Sequence, residues 1–332
     1  MKKIIIFGAS GNVGSYMAKY MKEYFSGKDY EVIASGRRQT KVFDSLNIPY
    51  ISVDITDADS FKKLPTDDVY AVVHLAATIP AYMNGYTPEQ YLKTNIIGTW
   101  NVLEYCRRVN ADRILFSTTI FDIALHVADG KPLKEDLPLK FSYTDDHAVY
   151  VISKNTCIEF LKHYHQKYGL KNFVFRFPSI YSYTPNPFYY PNGVKTLRPF
   201  YIFIDKAKKS EPIELWGDPN YSSDMCHVYD CSQIFCKAIE SNLNGGLYNV
   251  GTGIPVTLKQ KLESIIEMFS PKNNPSQIIY RPEKPNSGGF VMDVTKTIED
   301  LGYRPVYTFD KLLKDFKEEM AINRFAELRL EK

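Results

Sequence analysis

The chain has 332 residues, enough for two domains or one large one and for a core that needs no disulfide or metal staple. Its 41 Lys plus Arg nearly balance 38 Asp plus Glu, so the formal net charge of +3 selects no nucleic acid or membrane surface as a partner. The five cysteines, at 106, 157, 226, 231 and 236, are odd in number and form no C-x-x-C, which argues against a disulfide framework and for a reducing, cytoplasmic setting. Their five-residue steps, with His227 among them, match no common zinc spacing, so no metal site is expected. The opening MKKIIIFGAS stops being apolar at Gly8, short of a signal-peptide core, and no later run approaches the ~18 apolar residues of a membrane span. The one skew is aromatic, with 25 Tyr and 20 Phe against 18 Gly.

In chain order, Ile4–Phe7, Glu31–Ser35, Tyr50–Val53, Ala71–Leu75, Arg113–Ser117 and Phe173–Phe177 are short, nearly continuous apolar runs, the pattern of strands buried on both faces. Helical patterns near 13–26, 57–64, 88–109 and 147–168 lie between them. The alternation predicts an α/β fold, a doubly wound parallel sheet. Beyond Pro178 prolines become frequent, and the stretch Tyr183–Gly193 predicts an irregular surface loop, with a lid over a ligand as the alternative. A strand–helix pattern at 225–241 and the run Leu247–Val250 point back to the first sheet. The expected division is a dinucleotide-binding domain over 1–178, rejoined by 224–250, and a smaller α/β substrate domain from 179–223 and 251–332. A charged amphipathic helix or two close the chain over 309–331.

Directly after the first strand comes GASGNVG, with Gly8, Gly11 and Gly14 at three-residue steps and a helix beginning near Asn12. A tight turn, close backbone approach to a pyrophosphate and close helix–strand packing need glycine at these steps, and the helix N-terminus aims amides at the anion. Ser10, Asn12 and Val13 fall inside the same turn. The second strand ends Ser35-Gly36-Arg37-Arg38, where an NAD site would place an acid. Two guanidiniums suit a 2′-phosphate, which predicts NADP with NAD as the alternative. Asp54 and Ile55 after the third strand could border the adenine, although an Asp there is equally a turn residue.

Y-x-x-x-K occurs four times, as Tyr24/Lys28, Tyr150/Lys154, Tyr280/Lys284 and Tyr307/Lys311. Only Tyr150/Lys154 opens a helix in the second half of the predicted sheet and follows a hydroxyl-rich strand end, Phe116-Ser117-Thr118-Thr119. One helical turn puts the pair on one face. A nearby ammonium favours the phenolate, which fits the Tyr for acid–base work, and Thr119 is the expected substrate-holding hydroxyl, with Thr118 and Ser117 in competition.

Together with VVHLAA at 72–77, Asn95 in YLKTNIIGTWNVLEYCR, FRFPSIYS at 175–182, SDMCHVYD at 223–230, YNVGTG at 248–253 and DLGYRP at 300–305, these motifs resemble the extended short-chain dehydrogenases/reductases of the NAD(P)-dependent epimerase/dehydratase family. The resemblance implies a Rossmann domain with a C-terminal domain closing over a nucleotide sugar, commonly in a homodimer. It implies cofactor contacts from Leu75, Ala76, Ala77, Asn95, Lys154 and Phe177, and substrate contacts from Thr78, Thr119, Tyr150, Ser179 and Arg281. Family 4,6-dehydratases carry Asp-Glu after the Thr, and members that epimerise C3 and C5 carry a Cys; this chain has Ile120 and Phe121, which move no proton. Ser179 and Ser223 stand where the family often has Asn and Arg, which departs from the usual UDP-sugar site. The expected activity is a nucleotide-sugar 4-epimerase acting through a keto intermediate, the alternative an NADPH-dependent keto-sugar or carbonyl reductase, and the remote alternative a non-catalytic dinucleotide-binding regulator.

Overall fold

Strand β1 (Lys2–Phe7) shows why the sheet is buried on both faces: Ile4 and Ile6 enter one apolar cluster while Ile5 and Phe7 enter another, and none of the four is exposed. The computed structural model describes residues 1–82, 87–286 and 288–329. In it β1, β2 (Tyr30–Gly36), β3 (Tyr50–Ser52), β4 (Val69–His74), β5 (Arg113–Thr119) and β6 (Lys171–Phe177) lie in the order 3-2-1-4-5-6, and the strand Gly245–Asn249 adds to β6. Every pairing in this seven-stranded sheet is parallel. The doubly wound Rossmann sheet expected from the apolar runs is therefore present, including the return of the chain near residue 247.

Helices cover both faces. Helix α1 (Asn12–Tyr24) and the helix Val228–Glu240 pack on the face of Ile4 and Ile6, and the helices Gly98–Arg108 and Ala148–Tyr168 on that of Ile5 and Phe7. Beside the sheet a third cluster gathers the helices Pro199–Lys208, Leu258–Phe269 and Phe309–Ile322 with the parallel pair Ile213–Trp216 and Ile278–Arg281. Leu301, Tyr303, Phe325 and Leu328, late in the chain, pack instead into the first cluster.

The register aligns Phe7 with Ser35 and His74, and Thr119 with Phe177, so the carboxyl ends of the strands form one edge. The order reverses between β1 and β4, which puts a crevice at that edge, where doubly wound folds bind ligands.

Three local elements differ from expectation. The pattern at 57–64 folds as a 3-10 helix over Ala58–Lys63. The helix expected over 88–109 is interrupted by a π-helical turn at Tyr91–Ile97, which carries Asn95 inward. The Tyr183–Gly193 stretch is not wholly irregular, because Phe188–Tyr189 pairs antiparallel with Thr196–Leu197. The backbone amide of Tyr190 donates to the carbonyl of Ala81 at 3.1 Å, and Tyr183 packs edge-on against Phe316 with ring centres 5.6 Å apart. Among the described residues no helix is long and apolar enough to cross a membrane.

Candidate active site

The glycine turn explains its own composition. Gly8 has φ +87°, and a Cβ there would lie 2.6 Å from the backbone nitrogen of Ala76. A Cβ on Gly14 would meet the carbonyl oxygen of Gly8 and come within 2.9 Å of the Ala9 Cα, so only glycine lets α1 pack this closely on the turn. Gly11 is the exposed N-cap of α1. No side chain caps that end and its first turn holds no acid, which leaves the N-terminal amides to an outside anion.

The turn is held from several directions. The carbonyl of Ser35 accepts the amides of Gly8 and Ala9, both at 2.9 Å. A Cβ on Gly36 would lie 2.5 Å from the Ser10 Oγ. Asn12 donates to the Ser182 hydroxyl at 2.8 Å, so its carboxamide faces protein, and Val13 packs on the core. Arg37 and Arg38 are exposed at the end of β2, and neither makes an ion pair among the described residues. Their carbonyls accept from the Ser52 hydroxyl (3.0 Å) and the Tyr50 hydroxyl (2.5 Å), which fixes the backbone and leaves the guanidiniums to solvent.

Asp54 has the turn role: its carboxylate accepts the Thr56 amide and hydroxyl, at 2.9 and 2.8 Å. Ile55 is buried, and a Cβ on Gly98 would come within 2.6 Å of its Cδ1. Leu75, Ala76, Ala77 and Thr78 follow β4 along the carboxyl edge, all half-buried. Asn95 is buried beneath them. Its Oδ1 accepts the Thr78 amide at 2.8 Å, and its Nδ2 donates to the Thr78 carbonyl at 3.1 Å and the Ser153 hydroxyl at 2.9 Å. Through these bonds Asn95 clamps the loop after β4 to the Tyr150 helix.

Of the four Y-x-x-x-K pairs only Tyr150/Lys154 is buried at both positions, 8% and 2% exposed. Tyr24 and Lys28 both bond Glu240, the Tyr307 ring stacks on His227, and Tyr280 is exposed. The Thr119 hydroxyl faces Tyr150 closely enough to lower its phenol pKa, and the Thr119 Oγ1 accepts the Phe121 amide at 3.3 Å. Thr118 Oγ1 is buried without a partner. Strand alternation thus sends Thr119 toward Tyr150 and Thr118 away.

Burial pushes the Tyr150 phenol up; Thr119 lowers it, while Tyr91 and Asp122 raise it. The ammonium of Lys154 donates to the Ser117 carbonyl at 2.8 Å and lies 4.5 Å from the centre of the Phe116 ring. Desolvation brings its pKa down to about 8. Burial thus favours the neutral form of the Tyr150 phenol. His74, buried beside Lys154, is pushed down to about 3, mainly by desolvation, and its Nε2 bonds the Thr99 hydroxyl at 2.9 Å.

After Thr119 the crevice wall is apolar. Ile120 is buried, and the Phe121 ring lies 4.0 Å from that of His147, centre to centre. Phe177 is half-buried and Ser179 exposed at the end of β6. Arg281 lies on the small two-stranded sheet, its Nε donating to Glu214 at 3.0 Å. The sequence reading passed over Lys261, largely buried with its amine on the Ser223 hydroxyl and its pKa brought down to about 8 by desolvation. It also passed over Arg329, whose guanidinium reaches the glycine turn. Neither belongs to a motif; a lone Lys in an apolar helix face at 258–269 was the one available signal.

The cysteines are all free and buried. The His227 Nε2 bonds Asp315 at 2.9 Å, and its Nδ1 accepts the Tyr229 amide at 3.2 Å.

Known proteins share this architecture. The chain is 23% identical over 287 residues to a UDP-glucuronate 4-epimerase of Thermodesulfobacterium geofontis, covering 86% of this chain and 83% of that one. A Thermotoga maritima UDP-glucose 4-epimerase solved with UDP-glucose superposes with a TM-score of 0.75 at 24% identity, covering 97% and 99% of the two chains. A Thermus thermophilus UDP-glucose 4-epimerase in complex with NAD gives 0.70 at 23%, covering 95% and 99%. The model of the NAD dependent epimerase/dehydratase family matches residues 4–251. With the glycine turn, the Tyr150/Lys154 helix and the return of residues 245–249 to the sheet all inside that span, the chain belongs to the NAD-dependent epimerase/dehydratase family.

Proposed function

We propose that this enzyme is a nucleotide-sugar 4-epimerase in which Tyr150, Thr119 and Lys154 are catalytic. The observation that carries the reading is the buried Tyr150–Thr119 hydroxyl pair beside the desolvated Lys154 ammonium, followed by the apolar Ile120 and Phe121. That set has one proton-exchanging centre for one carbon and no second acid or base on the strand end to eliminate water. Thr119 Oγ1 orients the 4-hydroxyl, and Tyr150 Oη takes its proton and returns it. The Lys154 ammonium, held by Ser117, keeps a positive charge inside the low-dielectric site and lowers the cost of the Tyr150 phenolate, which forms by loss of the phenol proton to solvent before Oη accepts the proton of the 4-hydroxyl. A bound nicotinamide supplies the hydride acceptor and donor. Tyr150→Phe is expected to bind dinucleotide as the parent does and to lose at least about 100-fold in turnover; a fully active variant removes the mechanism.

The glycine turn from Gly8 to Gly14 and the loop Leu75–Ala77 hold the dinucleotide in this reading, with Arg37 and Arg38 on a 2′-phosphate, so NADP is the cofactor. The exposed, unpaired arginines also favour the second reading, an NADPH-dependent keto-sugar reductase. For the substrate diphosphate we assign Lys261 with Ser223, because Arg281 already pairs with Glu214. The dinucleotide domain comprises 1–178 and 224–250, and the substrate domain the remainder. Exposed Leu92, Ile97, Trp100 and Ile152 on the two helices beside the site form the face for a homodimer; a monomer in sedimentation removes that assignment.

A further inference from the structure

The last described residue, Arg329, reaches the first functional element of the chain. Its Nη1 donates to the carbonyl of Ser10 at 2.7 Å, and its Nη2 donates to the Ser15 hydroxyl at 2.9 Å and to Asn12 Oδ1 at 3.4 Å. Ser10 and Asn12 flank Gly11, and Ser15 is on the first turn of α1. One guanidinium thus spans the glycine turn and the helix start.

The segment that carries Arg329 is anchored independently. Phe325 packs edge-on against Tyr16 of α1 with ring centres 4.9 Å apart, and Leu328 is buried in the same cluster. Arg324 pairs with Glu319 at 2.9 Å, and the Tyr16 hydroxyl lies 3.4 Å from the Glu319 carboxylate and 3.1 Å from the Tyr183 carbonyl. Asn12 closes the circuit, accepting from Arg329 on one atom and donating to Ser182 with the other. The glycine turn, the loop after β6 and the end of the chain are therefore one hydrogen-bonded unit.

We propose that Arg329 is a positioning residue for the dinucleotide. It fixes the Ser10–Gly11 peptide, whose amide already donates to the Gly8 carbonyl at 2.9 Å, and brings a permanent positive charge to a helix N-terminus that has no acid in its first turn and no side-chain cap. Both effects favour a pyrophosphate at the turn: the peptides are held in their binding orientation before the ligand arrives, and the charge adds to the helix dipole. The fold gives no such role to Arg37 and Arg38, which sit past the end of β2.

The proposal rests on the glycine turn being the dinucleotide site. Its test compares NADPH and NADH dissociation constants, by quenching of protein fluorescence, for the parent chain, Arg329→Ala and Arg329→Lys at two salt concentrations. Arg329→Ala is expected to weaken both dinucleotides about tenfold, with a shallower salt dependence than the parent. Arg329→Lys, which keeps the charge but not the planar fork, falls between. The thermal midpoint moves little and the affinity for a nucleotide sugar, bound elsewhere in the crevice, is unchanged. Parent-like dinucleotide affinity in Arg329→Ala overturns the proposal, as does equal weakening of dinucleotide and nucleotide sugar with a large fall in the midpoint, the mark of general loosening. If the parent chain itself binds neither dinucleotide, the reading of the glycine turn fails and this inference fails with it.

Discussion

In the proposed reaction the chemistry turns on Tyr150, whose surroundings set a direction that spacing alone does not. Burial holds the phenol neutral, and the Thr119 hydroxyl is the group that opposes this. Lys154 contributes through charge in the buried site, because its direct bond goes to the Ser117 carbonyl. That arrangement has a measurable cost. The folded Lys154 pKa is about 8, below its ordinary value near 10.5, so the unfolded chain binds more protons between those limits and stability rises with pH across them. Lys154→Met is therefore expected to melt a few degrees higher than the parent at pH 7, with the difference shrinking as pH rises from 8 to 10.5. Equal midpoints at pH 7 in a scanning calorimeter would contradict the desolvated ammonium. At the other end of the crevice, Arg37→Ala is expected to weaken NADPH at least about tenfold more than NADH, since the charge-assisted bond to a 2′-phosphate is lost only for the former. Equal effects in a binding titration leave Arg37 as a solvated side chain.

At the scale of elements, the glycine turn and the π-helical turn do different jobs. The first is shaped by what a side chain would strike: Gly14→Ala drives a Cβ into the Gly8 carbonyl and against the Ala9 Cα. This substitution is expected to cost roughly 2 kcal/mol or more of stability and to abolish dinucleotide binding, read by denaturant unfolding and fluorescence quenching. A stable variant that still binds would mean the turn has slack. The π-helical turn brings Asn95 inward to join Thr78 and Ser153, residues 17 positions before it and 58 after it. The strands and most helices were legible because apolar runs and helical periods are local signals. The clamp was not, since an Asn beside Thr94 reads the same whether it points to a ligand or to a distant loop and helix. At Arg281 the small sheet places the side chain 3.0 Å from Glu214, a pairing that its motif-like position does not reveal.

Across the whole molecule, long-range polar contacts join parts that the sequence presents separately. Asp122, three residues past the end of β5, forms a buried ion pair with Arg176 at 2.9 Å, and Arg176 in turn donates to the Glu135 carbonyl and lies 3.4 Å from Asn249 Oδ1. These contacts bind the end of β6 to the wall of the crevice and to the returning strand. They explain how the Thr119 strand end keeps its register beside Tyr150, and none is visible from spacing. The fold class and the glycine turn were readable in the sequence, since each rests on neighbours within one or two turns of chain. The reaction is what remains to be measured. Incubating the enzyme and dinucleotide with UDP-, GDP-, CDP- and dTDP-sugars, while following products by proton NMR and the nicotinamide by absorbance, tests it most directly. The 4-epimer of one nucleotide sugar should appear with no net change in the nicotinamide. Stoichiometric loss of NADPH without isomer would contradict the epimerase and leave a reductase.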